Sequence, residues 1–417
     1  MTSGFLEQDL FPITLAVMSD LHVGIGARSK DLCPDHIATN AVESGYKGAF
    51  LEFLRKRSIR ADYLVLPGDV SHLAQPAEFE LASKFVLEVV KRLQVGKENI
   101  IFVPGNHDVD WTVLKSPDPT GFRRRQRYAP LESKDWIFRK IMKRASHGVL
   151  SPPHFCVWRF KNVFAVGYNS SWEDDPTVAI HHGGISDKHL AELDQHLASD
   201  PPDPLQVKIF LVHHHPLQYS DPIEANPDFS IMTNAGRLLD LLRRHNFDLL
   251  IHGHKHLPNF ETHIVSSSSP LAVLCSGSFS VQLDTRWAGS VSNQFHLIHI
   301  DGRDADIGSI FGRVESWTYV CGPGWVPSKK PHHGIRHNEL FGAYLLPANL
   351  KRIMRSVLEV KLKEKDYVEW SEVIEAAPNL KYLPDERAVQ VVDSLAMELK
   401  FKRRGESVDE MILLVKK

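Results

Sequence analysis

The stretch VPGNHDVDW, residues 103–111, follows the strand-forming run Ile100–Phe102. A proline and a glycine end that strand, and Asn106, His107 and Asp108 come directly after them. An amide, an imidazole and a carboxylate are groups that bind metal ions or transfer protons. The stretch therefore indicates a site at the end of a strand, provided that other strand ends supply matching groups.

The bulk composition is that of an ordinary globular protein, with 43% apolar and 24% charged residues. A length of 417 residues favours one large domain and a smaller one. The formal net charge of -2 argues against general electrostatic binding of nucleic acid or membranes, so any basic site must be local. No apolar run approaches the roughly 20 residues that span a bilayer, so no membrane association is expected.

The four cysteines lie far apart and form no CxxC pair, which favours reduced thiols in a cytosolic protein. Glu7 and Asp9 precede the first strand-like run and argue against a signal peptide. A cytoplasmic location is therefore expected.

In the first half, strand-like and helical patterns alternate. Residues 13–18 and 61–70 read as strands, and residues 77–94 have the three- and four-residue apolar spacing of an amphipathic helix. This alternation predicts βαβ units and a largely parallel sheet. The second half is richer in strands, so two packed sheets with flanking helices, an α/β fold, are expected.

Composition also predicts the domain boundaries. We expect a main domain over residues 1–321, with an insertion or cap at 110–155 where the periodic pattern breaks. Residues 322–347 are rich in glycine, proline and basic residues and are expected to be a linker. Residues 348–417 have three helical patterns and a closing strand-like run, which predicts a small, mostly helical C-terminal module.

Five predicted strand ends carry polar groups that can bind metal ions, and ligands gather at the carboxyl ends of strands in open α/β sheets. The groups are Asp20 and His22; Asp69; Asn106, His107 and Asp108; His213, His214 and His215; and His252, His254 and His256. The side chains of residues two apart in an extended segment point the same way. Asp20 and His22 can therefore reach one centre, and so can His254 and His256.

These ligand types suit divalent ions such as Mn, Fe, Zn or Co, and the absence of cysteine argues against a structural zinc site. The candidates are too many for one ion. Two ions about 3.5–4 Å apart, bridged by a carboxylate such as that of Asp69, would polarise a phosphoryl group and activate water.

Taken together, five short blocks resemble the calcineurin-like metallophosphoesterases, over about residues 20 to 300. The blocks, in chain order, are DLH (20–22), GDV (68–70), GNHD (105–108), HHHP (213–216) and GHKH (253–256). The resemblance implies a four-layer αββα sandwich around a dinuclear metal centre, followed here by the small helical C-terminal module.

The resemblance also implies roles for single residues. Asp20, His22 and His256 would bind one metal. Asn106, His214 and His254 would bind the other, and Asp69 would bridge the two. His214 is chosen because the family block usually has two histidines before its proline, and His213, His215 and His252 are expected to support the ligands or to pack.

The resemblance further implies that His107 would be the general acid that protonates the leaving alkoxide and that Asp108 would orient His107. Manganese or iron is favoured as the cofactor, with zinc, cobalt or nickel as alternatives.

The insertion contains GFRRRQRY, residues 121–128, with Arg123, Arg124, Arg125 and Arg127. A solvated charged face is the simpler interpretation. The alternative is a substrate-facing cap, since guanidinium groups match phosphate geometry. Trp111 can stack on a base or pack in the core.

These observations predict a metal-dependent phosphoesterase in which water attacks phosphorus in line. A phosphodiesterase acting on nucleic acid or a cyclic nucleotide is favoured, because a single histidine beside the metals resembles the bacterial cyclic-nucleotide and nuclease-like branches. One alternative is a phosphomonoesterase or protein phosphatase. Another is a regulated effector whose C-terminal module docks a protein partner.

Overall fold

A computed structural model of the chain describes residues 10–113, 122–132, 136–144, 148–151, 154–174, 182–219, 231–264, 270–283, 291–305, 308–329, 334–345, 347–405 and 408–415. The chain divides into two compact units. One consists of Met1–His299 and Glu315–His337, and the other of Ile300–Val314 and Asn338–Lys417.

The first unit begins with alternating strands and helices: β1 (Ile13–Val17), α1 (Tyr46–Lys56), β2 (Tyr63–Leu66), α2 (Pro76–Leu93) and β3 (Ile100–Phe102). Strand β2 pairs in parallel with β1 on one side and with β3 on the other. The predicted βαβ units are therefore confirmed. Helix α2 starts with proline at its first turn and a capping box of Gln75 and Glu78, both of which favour helix initiation.

The predicted insertion contains two short helices, α3 (Phe122–Gln126) and α4 (Ile137–Arg144). A second series of elements follows: β4 (Phe155–Arg159), β5 (Val163–Tyr168), α5 (Asp187–Ser199), β6 (Val207–Val212), α6 (Ala235–Arg244), β7 (Leu249–His252), β8 (Asn259–His263) and β9 (Leu271–Cys275). Its strands form a six-stranded sheet in the order β4-β5-β6-β7-β9-β8. Only the two edge strands, β4 and β8, are antiparallel to their neighbours.

Three further strands, β10 (Gln294–Arg303), β11 (Ile310–Val320) and β12 (Gly324–Pro327), extend the first sheet to the order β12-β11-β10-β1-β2-β3. Helix α1 packs on this sheet through Phe50, whose ring lies 5.0 Å from that of Phe295 in β10. Apolar side chains of α5 and α6, among them Leu193 and Leu238, form a buried core with the second sheet. The mixed α/β architecture, with two sheets and flanking helices, is the one the sequence predicts.

The second unit contains β13 (Glu339–Phe341), α7 (Pro347–Glu364), β14 (Tyr367–Glu369), α8 (Trp370–Ala376), α9 (Asp385–Glu398), β15 (Phe401–Arg404) and β16 (Ile412–Val415). Strand β13 pairs with residues 312–314 of β11. The three predicted helices are present, and a three-stranded sheet of order β14-β16-β15 accompanies them. Strand β16 corresponds to the predicted closing strand-like run, whereas β14 and β15, with three and four residues, are too short for their alternation to be recognised in a sequence.

The segment 322–347, predicted to be a linker, contains β12 and β13. The domain boundaries and the partner-docking role of the C-terminal module stay predictions. All four cysteines are free thiols, and Cys321 alone among them is exposed. In the described part of the chain, no helix combines the length and the apolar character needed to cross a membrane.

Candidate metal centre

The candidate site lies where several parallel strands end. Asp20, Asp69 and Asn106 follow β1, β2 and β3, which are neighbours in the first sheet. His213 and His254 follow β6 and β7, which are neighbours in the second. The carboxyl ends of parallel strands share one edge of a sheet, so this order along the chain brings distant residues together.

The backbone at these strand ends adopts an uncommon conformation. Five of the predicted ligands have a positive φ: Asp20 (53°), His22 (45°), Asp69 (52°), His254 (69°) and His256 (56°). Each such residue other than glycine costs about 1–3 kcal/mol, and such strain concentrates at functional sites. The left-handed turns direct these side chains away from the regular course of the strands.

One group of potential ligands consists of Asp20, His22, Asp69 and His256, whose nearest ligand atoms all lie within 4.8 Å of one another. Nε2 of His256 lies 3.2 Å from Nε2 of His22 and 3.2 Å from Oδ1 of Asp20. Nε2 of His22 lies 3.5 Å from Oδ2 of Asp69. Two carboxylates and two imidazole nitrogens that converge in this way fit a divalent cation.

A second group shares Asp69 with the first. Nε2 of His213 lies 3.2 Å from Oδ2 of Asp69 and 3.1 Å from Oδ1 of Asn106. Nδ1 of His254 lies 3.0 Å from the same oxygen of Asn106. The predicted residues Asn106 and His254 are therefore adjacent, and the imidazole that joins them to Asp69 is that of His213.

His214, the residue predicted from the block pattern, has other neighbours. Its Nδ1 lies 2.7 Å from Oγ of Ser170, and its Nε2 lies 3.5 Å from Oδ2 of Asp174. Its ring remains near the second group, with its centroid 4.4 Å from that of His254. The third histidine of the block, His215, stacks on His254 with the ring centroids 5.8 Å apart.

Burial and charge set the protonation of these groups. Burial, followed by the charge of His107, lowers the pKa of His22 to about 3. Burial acts to raise the pKa of Asp20, but hydrogen bonds with His22 and His256 outweigh it and hold this pKa well below its usual value. An ionised carboxylate and a neutral imidazole are the forms that bind metal ions.

His107, the predicted acid, lies beside the first group. Its ring centroid is 4.5 Å from that of His22, and its main-chain N–H donates to Oδ1 of Asp69 at 2.8 Å. Nδ1 of His107 lies 2.8 Å from the main-chain oxygen of His72. The imidazole is half-buried, so it combines a defined orientation with access from outside.

Asp108, which was expected to orient His107, is fully buried and binds main-chain groups instead. Its carboxylate accepts hydrogen bonds from the N–H groups of Gly105 (3.0 Å), Val70 (3.3 Å) and Ser71 (2.9 Å), and from the Ser71 hydroxyl. The carboxylate therefore ties the loop after β3 to the loop after β2. The orienting contact to the imidazole of His107 comes from the carbonyl of His72.

Of the predicted substrate-contacting residues, Trp111 and Arg127 contact each other. The indole Nε1 of Trp111 donates to the main-chain oxygen of Asn106 at 2.8 Å, and the guanidinium of Arg127 lies 4.8 Å from the centre of the indole. Arg127 is only 1% exposed. The pair therefore supports the loop that carries Asn106, and both interpretations of Trp111 stay predictions.

Arg125 forms an ion pair with Glu132 at 2.7 Å and also donates to the carbonyl of Leu150. Arg124 is half-buried, and the side chain of Arg123 lies outside the described residues. Arg127, which is buried, is thus not part of an exposed cationic face.

The sequence pattern did not indicate His72, although it follows Asp69 by only three positions. Nδ1 of His72 lies 3.2 Å from Nδ1 of His22. The position of this histidine shortly after the GDV block could have indicated a role at the site. Residues beyond the end of a strand follow no regular period, however, so the sequence does not predict where the side chain points.

Comparison with known proteins gives a match to the family described as calcineurin-like phosphoesterases over residues 13–258, more than half of the chain. The chain is 34% identical over 80 residues to the uncharacterized metallophosphoesterase-like protein YydB of Bacillus subtilis (strain 168). That alignment covers 17% of this chain and only 16% of YydB.

Solved structures are similar to the chain as well. Phosphopantetheinyl hydrolase of Mycobacterium tuberculosis is 17% identical with a TM-score of 0.36, covering 67% of this chain and 93% of its own. Vacuolar protein sorting 29 of Cryptosporidium parvum is 13% identical with a TM-score of 0.33, covering 75% of this chain and 94% of its own.

The family match and the resemblance of the five blocks agree. The match covers every block and each of the strand ends described above, and the first group has the ligand types that a metal-dependent phosphoesterase requires. The chain belongs to the calcineurin-like phosphoesterase family.

Proposed function

We propose that this protein hydrolyses phosphodiesters at a dinuclear centre. The observation that carries the proposal is the sharing of Oδ2 of Asp69, which lies 3.5 Å from Nε2 of His22 in the first group and 3.2 Å from Nε2 of His213 in the second. A carboxylate in contact with two separate sets of nitrogen ligands is suited to bridge two cations.

The first cation would be bound by Asp20, His22, Asp69 and His256, and the second by Asp69, Asn106, His213 and His254. We infer His213 in place of His214 because its Nε2 contacts both Asp69 and Asn106. Its Nδ1 lies 2.8 Å from the carbonyl of Pro67. This contact keeps a proton on Nδ1 and leaves Nε2 as the ligand atom.

Nitrogen and oxygen ligands of this mixture favour manganese or iron, with zinc, cobalt or nickel as alternatives. When bound, two such cations polarise the phosphoryl group and activate the attacking water. The protein itself contributes two buried carboxylates, those of Asp20 and Asp69, whose lowered pKa values keep them ionised.

His107 is suited to act as the general acid. Its Nδ1 donates to the carbonyl of His72, so the proton that it can transfer is carried on Nε2 of the imidazolium. A proton delivered from that nitrogen to the departing oxygen stabilises an alkoxide leaving group. Asp108 supports this role indirectly, since it holds the loop after β3 through main-chain hydrogen bonds.

The preference for a diester has support from the charges at the site. The side chains of Asp20, His22, Asp69 and Asn106 form contacts with one another, with further histidines and with the Ser19 hydroxyl. A monoester dianion needs more cationic neutralisation than a diester monoanion. A nucleotide or nucleic-acid diester is the substrate class we propose, with phosphomonoesters as the alternative.

The proposal can be tested by metal analysis of the purified protein together with a substrate panel. The panel contains bis-p-nitrophenyl phosphate, p-nitrophenyl phosphate, cyclic nucleotides, and single- and double-stranded DNA and RNA. We expect two cations per chain and a higher kcat/KM for diesters. One cation per chain would contradict the dinuclear centre, and faster hydrolysis of the monoester would contradict the diester preference.

A further inference from the structure

His72 lies on a loop that runs beside the first group of ligands. Its main-chain N–H donates to the carbonyl of Val23 at 3.1 Å, and Ser71 forms an isolated parallel bridge with Val23. The loop after β2 therefore continues alongside the loop after β1, which carries His22. This pairing brings a histidine outside the five sequence blocks against one of the proposed ligands.

The side chains of His72 and His22 are in contact through their Nδ1 atoms, 3.2 Å apart. Nε2 of His22 is turned toward Asp69 and His256, so a cation bound there requires Nε2 without a proton. The proton of the neutral His22 ring then lies on Nδ1 and is donated to Nδ1 of His72. His72 is consequently an acceptor at Nδ1 and carries its own proton on Nε2.

The main chain of the same residue orients His107. The carbonyl of His72 accepts a hydrogen bond from Nδ1 of His107 at 2.8 Å, and the two rings stack with their centroids 5.1 Å apart at 23°. The side chain of His72 thus contacts a proposed metal ligand while its carbonyl contacts the proposed acid. One residue connects the two parts of the site.

Glu78 supports the loop that carries His72. Its Oε2 accepts hydrogen bonds from the N–H groups of His72 (3.3 Å), Leu73 (2.8 Å) and Gln75 (3.1 Å), and the residue is fully buried. A Cβ at Gly24 would overlap with the other carboxylate oxygen of Glu78. The loop is therefore built around this carboxylate at the start of α2.

We propose that His72 is a positioning residue, which holds His22 by its side chain and His107 by its carbonyl, in a loop that Glu78 supports. The inference rests on the proposed function, since it takes His22 as a ligand and His107 as the acid. Nitrogen atoms of these three histidines lie within 4.8 Å of one another. A further cation among them is disfavoured, because Nδ1 of His22 keeps its proton when Nε2 binds a metal.

The test compares His72→Leu, which removes the acceptor, with His72→Asn, whose side-chain oxygen can replace Nδ1 as an acceptor. His263→Ala, a half-buried histidine on β8, is the control. Mn²⁺ affinity is measured by titration and electron paramagnetic resonance. We expect His72→Leu to weaken one Mn²⁺ site by about 10–100-fold, the usual effect of losing a hydrogen-bond partner of a ligand. His72→Asn should recover most of the affinity, and the control should bind like wild type.

Two outcomes separate the two proposals. A wild-type protein that binds no Mn²⁺ and hydrolyses no phosphoester overturns the proposed function and this inference with it. An active wild type together with a His72→Leu protein of unchanged Mn²⁺ affinity overturns the positioning role alone. Histidine ¹⁵N spectra of the Zn²⁺-loaded wild type give an independent check: a proton on Nε2 of His72 supports the inference, and one on Nδ1 overturns it.

Discussion

The carboxylate of Asp69 accepts a 2.8 Å hydrogen bond from the main-chain N–H of His107 through Oδ1, while its Oδ2 lies 3.2 Å from Nε2 of His213. One oxygen thus fixes the loop that carries the proposed acid, and the other faces the proposed ligands. The single buried side chain of Asp69 therefore contacts both the loop of the proposed acid and the proposed metal ligands. Burial acts to raise the pKa of Asp69, but His213 and His107 outweigh it and hold this pKa below its usual value.

We expect Asp69→Asn to lower the cation content and to reduce kcat by more than about 100-fold, since the shared ligand is lost. The fold should persist, because an asparagine oxygen can still accept the His107 N–H. Metal analysis, kcat and circular dichroism measure these effects.

Asp110→Asn is the matched control, because the side chain of Asp110 accepts hydrogen bonds from the main-chain N–H (2.9 Å) and the hydroxyl (2.6 Å) of Thr112 and is not a proposed ligand. It should retain wild-type cation content and turnover. An Asp69→Asn protein that keeps two cations and wild-type kcat would contradict the dinuclear centre.

His107→Ala should keep both cations and lose roughly 10²–10⁴ in kcat on substrates with alkoxide leaving groups, the usual contribution of a positioned acid. The loss should shrink for p-nitrophenyl esters, whose leaving group needs little protonation. The measurement is kcat for a series of diesters of increasing leaving-group pKa. An equal loss across the series would assign His107 a positioning or metal-binding role.

The second ligand group predicts different effects for two neighbouring histidines. His213→Ala should remove one cation per chain and abolish most of the activity, because Nε2 of His213 contacts Asp69 and Asn106. His214→Ala should keep the cation content, since His214 contacts Ser170 and Asp174, which are not proposed ligands. Metal analysis of both variants decides, and the reverse result would restore the His214 assignment.

Cation binding at the second group should depend on pH. Burial acts to lower the pKa of His213, but the charge of Asp69, a hydrogen bond with Asp69 and the charge of Asp20 together outweigh it and raise this pKa to about 9. Below that pH the metal-free protein holds a proton that the cation must displace, so affinity should rise with pH by up to about tenfold per unit and level off above the pKa. Mn²⁺ titrations at several pH values measure this slope, which should be smaller in His213→Asn. Equal slopes would exclude His213 as the titrating ligand.

Arg127→Gln should act on stability more than on substrate binding, because Arg127 is 1% exposed and lies over Trp111. We expect the free energy of unfolding to fall by about 1–3 kcal/mol, as measured by urea denaturation. KM for oligonucleotides, and its dependence on salt, should change no more than KM for bis-p-nitrophenyl phosphate. A raised KM confined to oligonucleotides would instead favour the substrate-facing cap.

Much of the fold and of the site follows from local pattern. Apolar runs that end in Asp69, Asn106 and His254 indicate buried strands with polar ends, and the alternation with helices indicates parallel strands whose ends meet. The family resemblance rests on the same blocks. A parallel sheet makes the approximate meeting of these residues a consequence of their order in the chain.

Other features were decided by tertiary structure alone. His72, Arg127 and His213 lie in turns, where no period specifies the direction of a side chain. The sequence therefore does not predict that His213 contacts Asp69, that Arg127 is buried or that His72 contacts His22. Positive φ values at Asp20 and other proposed ligands turn these side chains in ways that a strand pattern does not predict. By itself, the sequence determined which strand ends carry polar groups that can bind metal ions, because burial enforces a regular period along a strand. Which atoms face each other was decided by packing between segments far apart in the chain, since only those contacts stabilise the strained turns.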